Sequence, residues 1–218
     1  MDELIDVAAL EETLAPLSHG GQALETLQGI LRPHKAHARQ TILNRHMLRL
    51  PIRHEDVKGH VGPELAVFCV LQGDVIRTDA AYVLGERRDQ NPTYVIATST
   101  CDLVPGRRKT VSLLEVEPRR ANYTEVAQIQ NHLGQLTMFK STQHLYLPPL
   151  PDDPPEVLFN VAHLDATAQC ENAVLPFVQR RASMTLIGWR VSGAFLRDLQ
   201  IRAGEEEPAI RRVAQQLP

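Results

Sequence analysis

Apolar residues recur along this chain in two rhythms, and the changes between them outline its elements. Leu4, Val7, Leu10, Leu14 and Leu17 fall at steps of three and four, the spacing of one helix face. Ser18-His19-Gly20-Gly21 breaks that stripe, and Leu24, Leu27 and Leu31 form a second one ending near Pro33. Ile42, Leu43, Met47, Leu48 and Leu50 give a third helical side, stopped by Pro51. From about Ala66 the pattern shortens to that of strands. Gly73-Asp74-Val75-Ile76, Tyr94-Val95-Ile96-Ala97 and Thr110-Val111-Ser112-Leu113-Leu114-Glu115-Val116 are β-branched, apolar runs separated by Asn91-Pro92 and the turn Val104-Pro105-Gly106-Arg107-Arg108.

Helical rhythm returns at Val126, Ile129, Leu133 and Leu136, with Thr124 placed to cap it. His144-Leu145-Tyr146-Leu147 predicts a strand halted by Pro148-Pro149, and the prolines that follow predict a stiff surface crossing before a strand at Val157–Val161. From Asp165 the composition predicts helix, interrupted at Pro176. Thr185 precedes the strongest helical stripe, Leu186, Trp189, Phe195, Leu196 and Leu199, which Gly204 closes, and Glu205-Glu206-Glu207-Pro208 restarts a short terminal helix. Gly188 and Gly193 inside the long helix cost about 1 kcal/mol each relative to Ala, which makes sense where another element packs closely. No internal repeat or low-complexity tract interrupts this order. The expected division is a helical N-terminal arm over 1–60, a β-rich body over 61–163 and C-terminal helices over 164–218 packed on that body.

With 43% apolar and 22% charged residues the chain is ordinary globular material, not the composition of a disordered protein. No apolar run approaches the roughly 18 residues of a membrane span, and the acidic start Met-Asp-Glu-Leu-Ile-Asp is the reverse of a secretory leader. Cys69, Cys101 and Cys170 are odd in number and widely spaced, so reduced thiols in a cytoplasm are expected rather than a disulfide scaffold or zinc ribbon. The net charge of −3 predicts no general affinity for nucleic acid, but it conceals a polarity. Residues 1–31 hold six acidic side chains and no Lys or Arg, whereas seven Lys/Arg fall between Arg32 and Lys58. The acidic helix could pair with the basic one, or the segment could be an arm that docks on a partner through Leu4, Val7, Leu10, Leu14 and Leu17.

The order Gly73-Asp74-Val75-Ile76, a variable loop, Pro92 and an apolar strand ending in Thr98-Ser99 resembles the opening of the MazF/PemK toxin family. The likeness spans residues 72–118. It implies an α+β protein built on a small antiparallel SH3-like barrel with helices at both ends, of the kind found in bacterial toxin–antitoxin or phage-defence systems. It also implies RNA cleavage by attack of a ribose hydroxyl on the neighbouring phosphate, which needs a cation for the phosphate and a group to move the proton. The family carries an Arg immediately before the Pro, where this chain has Asn91; Arg87 and Arg88 are the nearest replacements. Thr98 and Ser99 occupy the family's strand-end hydroxyl position.

Other chemistry is thinner. Cys101-Asp102 lacks a neighbouring base, and a small buried thiol beside a turn-capping carboxylate is the expected role. His34 and His37, with His46 or His54, lack the Cys or carboxylate of a known zinc motif, so no metal and no cofactor is expected. Arg107-Arg108-Lys109 and Arg119-Arg120 bracket the third strand, and Arg180-Arg181 precede the long helix; such clusters suit phosphates, although aromatic stacking residues are scarce. Three functions follow as expectations. The first is a non-catalytic, protein-binding regulator on a MazF-like barrel, such as an inhibitor that sequesters a sigma factor, acting as a hetero- or homo-oligomer. The second is an endoribonuclease toxin with a rearranged site, and the third a nucleic-acid-binding module.

Overall fold

The computed structural model describes residues 12–13, 20–53, 70–87, 92–121 and 126–201. Helices α1, Gly20–Leu31, and α2, Ala36–His46, precede the first strand. Among the described residues nine strands follow: β1 Leu48–Arg49, β2 Val75–Arg77, β3 Tyr82–Val83, β4 Glu86–Arg87, β5 Thr93–Ile96, β6 Thr110–Arg120, β7 His144–Leu147, β8 Val157–Glu171 and β9 Gln179–Met184. Helix α3, Val126–Leu136, links β6 to β7, and α4, Leu186–Ile201, follows β9.

The strands form one antiparallel sheet in the order β1-β9-β2-β5-β6-β8-β3-β4, with β7 also paired to β8. The architecture is therefore α+β, as the strand and helix rhythms predict, but the sheet is an open path not closed into a barrel. Its spine is β6 on β8, whose register shifts between Leu114 and Val116. The other edge of β8 is shared, β7 pairing with residues 160–163 and β3 with Gln169. Two apolar clusters result. One lies between the sheet and the helices, with Leu27, Leu31, Leu43, Val95, Tyr146, Phe159 and Ile187 all fully buried. The other, with Ile76, Tyr94, Ile96, Val111 and Leu113, fills the opposite face of β2, β5 and β6.

Several expectations change. The chain from Asp165 to Glu171 is strand, not helix, and β9 extends the sheet further, so the division placed at 163/164 falls inside β8. The sequence Asp-Ala-Thr-Ala-Gln-Cys-Glu has helix-forming composition, yet Ala168 and Cys170 are buried while Thr167, Gln169 and Glu171 are exposed, a period of two. Over 20–53 the N-terminal segment packs into the body: Ala23, Leu27 and Leu31 of α1 are buried, and β1 pairs with β9. Thr185 caps α4, accepting a hydrogen bond from Gly188 N–H at 3.1 Å. The face that α4 buries differs from the expected stripe. Ile187, Val191, Ala194 and Phe195 point inward, while Trp189 is 41% exposed and its indole N–H donates to Gln72 Oε1 at 3.2 Å.

Gly188 sits where α4 meets the chain leaving α2. A Cβ there would run into the Met47 carbonyl, so the absence of a side chain lets α4 approach the chain entering β1. Gly193 has open space at the same point, and close packing does not account for it.

Candidate functional site

The Gly73-Asp74 turn that opens β2 is structural. Gly73 has φ of 88°, a left-handed conformation, and the Met184 side chain lies against it. Asp74 is 1% exposed; its Oδ2 accepts the Leu71 N–H at 3.0 Å and lies 3.6 Å from Arg180 Nη1. Burial pushes its carboxyl above the usual carboxylate range, against the pull of Ser183, Leu71 and Arg180. Arg181 is equally structural. Its guanidinium is buried, holding Asp152, Asp153 at 2.9 Å and Thr93 Oγ1 at 3.1 Å. Neither Arg of the Arg180-Arg181 pair is displayed for a phosphate.

The strand-end hydroxyls lie in an open pocket of about 350 Å³ where β5 and β6 meet the last turns of α4. Thr98, Ser99 and Ser112 line it, together with Asp102, Arg108 and Arg197. Thr98 Oγ1 accepts the Ser112 N–H at 2.8 Å, which locks the end of β5 to the start of β6. Asp102 belongs to a short 3₁₀ turn, Thr100–Leu103, and its Oδ2 pairs with Arg108 Nε at 2.9 Å. Gln72 bridges the walls, its side-chain amide donating to Ala97 O at 2.9 Å while its oxygen receives Trp189. Gly193 forms part of the lining, so the open space at that glycine is pocket space. The pocket presents two guanidinium groups, three hydroxyls and one carboxylate.

Of the predicted residues, Thr98, Ser99 and Arg108 converge there. Arg87 does not: it pairs with Asp79 at 2.8 Å on β4, and β6, β8 and β3 separate it from β5. Arg88 and Asn91 lie outside the described residues, as do Leu4, Val7, Leu10, Leu14 and Leu17 of the partner-docking stripe. Arg107 donates to Cys101 O at 3.1 Å, and Arg107 and Lys109 are exposed beside the pocket without lining it. Arg119 and Arg120 border a different cleft. Cys101 is exposed rather than buried, with its Sγ 3.0 Å from Ser99 Oγ; Cys170 is the buried thiol, pushed up to about 11 by its burial. Among the described residues no group of three His, Cys, Asp or Glu is arranged to hold a metal ion, and no helix is long and apolar enough to cross a membrane. Arg197 is the residue the sequence did not disclose. It sits on an apolar helix some 85 to 100 positions from the hydroxyls, and only the fold brings them together.

No known family matches the sequence, and no curated protein matches it either. Among solved structures, an endoribonuclease from mycobacterial species is similar over 62% of this chain and 95% of its own, with 12% identity and a TM-score of 0.33.

Proposed function

We propose that the protein binds single-stranded RNA in the cytoplasm, seating a backbone phosphate between Arg108 and Arg197, as a MazF/PemK-like protein that has kept a binding pocket. One observation carries this reading: two guanidinium groups and three hydroxyls, drawn from four separate segments, line a single pocket. Guanidinium groups hold phosphate oxygens with charge-assisted hydrogen bonds, and the hydroxyls supply further donors. Asp102 favours RNA over DNA, because a carboxylate accepts from the 2′-hydroxyl that DNA lacks.

Cleavage is the second reading, and Asp102 is what favours it. The carboxylate could take the 2′-hydroxyl proton as that oxygen attacks the adjacent phosphorus and the 5′-oxygen leaves. The leaving oxygen then needs a proton, and the described residues lining the pocket include no histidine to give one. Binding is therefore the reading adopted. Fluorescence anisotropy with a labelled single-stranded RNA tests it: Arg108→Gln and Arg197→Gln should each weaken binding about tenfold, the loss of one charge-assisted contact. Gly193→Phe, which fills the pocket, should abolish it. Unchanged affinity in the folded double Arg variant would overturn the proposal, and RNA cleavage lost in Asp102→Asn would promote the ribonuclease reading.

A further inference from the structure

A second cleft, of about 570 Å³, lies between the end of β6 and α3. Its volume is that of a small-molecule site. Arg119 and Arg120 stand on the strand side, Gln128, Ile129 and His132 on the helix side, and Phe159 of β8 lies at the floor, fully buried. Glu117 lines the cleft as well, and it fixes the groups beside it. Glu117 holds Arg119 Nη1 at 3.1 Å with one oxygen and His163 Nε2 at 3.0 Å with the other. The His163 ring meets His144 edge-on at 4.9 Å between centroids, and His144 meets His132 in the same way at 5.4 Å. His132 is also edge-on to Phe159 at 6.2 Å. The His132 imidazole is thus packed edge-on against His144 and against Phe159 of the floor.

The charge at this cleft is not balanced. Glu117 is shared between a guanidinium and an imidazole, while Arg120 is exposed and Arg119 Nε is buried with no hydrogen-bond partner. Two guanidinium groups, one of them with a buried N–H lacking a partner, beside one shared carboxylate call for an anion. The remaining lining is of another kind. Ile129 and Phe159 offer an apolar surface, and Gln128 with a neutral His132 offers donors and acceptors together, as the edge of a nucleobase requires. Burial, then the neighbouring His144 and Arg119, hold His132 below the usual histidine range, which favours the neutral ring with one donor and one acceptor.

We propose that this cleft binds a nucleotide through its terminal phosphate, with Arg119 and Arg120 on the phosphate and the base against Ile129, read by Gln128 and His132. The same chemistry is carried by a free nucleoside 5′-monophosphate and by the 5′-phosphorylated end of an RNA strand. This site is separate from the pocket of Arg108 and Arg197 and stands whether or not that pocket holds RNA.

Titration calorimetry on the full chain tests it with the four nucleoside 5′-monophosphates, the parent nucleosides, and a short RNA bearing either a 5′-phosphate or a 5′-hydroxyl. The RNA arm uses the Gly193→Phe chain, so that the first pocket contributes nothing. Binding of a monophosphate at least tenfold tighter than its nucleoside, weakened about tenfold by Arg120→Gln and unchanged by Arg108→Gln, is the expected result. His132→Gln should alter the order of preference among the four bases while the phosphate dependence stays. Binding of the 5′-phosphorylated RNA alone, lost in Arg120→Gln, supports the same site with a strand end as its ligand. Arg120 is exposed, so its replacement leaves the fold intact, which a melting curve verifies. Absence of binding in both arms, or affinity unchanged in Arg120→Gln, overturns the proposal.

Discussion

The two glycines of α4 should respond in opposite directions to the same substitution. In Gly188→Ala the new methyl falls deep inside van der Waals contact with the Met47 carbonyl oxygen and 3.1 Å from its carbon. That carbonyl is backbone, and it accepts the Thr185 N–H at 3.1 Å, while the Thr185 hydroxyl donates to the carbonyl of His46. Relief requires α4 or the entry to β1 to move, loosening those bonds. Overpacking of this kind costs about 3 kcal/mol, and the better helix propensity of Ala returns about 1, leaving a net loss of about 2 kcal/mol. Gly193→Ala meets nothing within 4 Å and should gain up to about 1 kcal/mol. Urea unfolding followed by circular dichroism reads both, provided the slopes agree so that midpoints compare directly. A Gly188→Ala chain as stable as Gly193→Ala would refute the claim that α4 and the Met47 carbonyl are in enforced contact.

Two further outcomes are expected. Arg181→Met should destabilise the fold by about 3 kcal/mol, because it strands the buried Asp153 carboxylate, and adding Asp153→Asn should recover part of that loss in the same unfolding experiment. Acidification should weaken the fold as pH drops through about 6.5 and below: burial and neighbouring charges hold His132 and His144 under that value, so the unfolded chain takes up protons that the folded one resists. The cluster faces Glu117, Arg119, His163 and Asp165, and Asp74, whose carboxyl is raised, acts with the opposite sign in the carboxylate range. A His132→Gln, His144→Gln chain should show a flatter dependence of the urea midpoint between pH 8 and 5.5, and an unchanged slope would contradict this account.

Elements that announce themselves locally were legible in the sequence. β7 coincides with His144–Leu147 because Pro148 ends it, and α3 matches the Val126, Ile129, Leu133, Leu136 rhythm. What failed locally was decided at long range. Asp165–Glu171 is held as strand by its ladder with β6, which overrides the helical composition of Ala and Gln. Arg181 looked like part of a surface cluster, yet Asp152 and Asp153, some 28 residues away, allow it to be buried. The candidate pocket was half legible: Thr98 and Ser99 stood at a strand end, whereas Arg197 has no local mark that separates it from any exposed helical arginine.

Strand β9 has a consequence for how the chain reaches its folded state. It lies between β1 and β2, so residues 179–184 complete the pairing of strands made more than a hundred positions earlier. Among the described residues, β1 has no strand partner during synthesis, and β2 has only β5, until residues 179–184 have been made. Helix α1 waits in the same way, since α4 is its main cover. Such sequence-distant closure raises the contact order, which slows folding. The apolar face of α1 therefore stays uncovered until α4 has been made, and exposed apolar surface of that kind is what makes a nascent chain prone to aggregate.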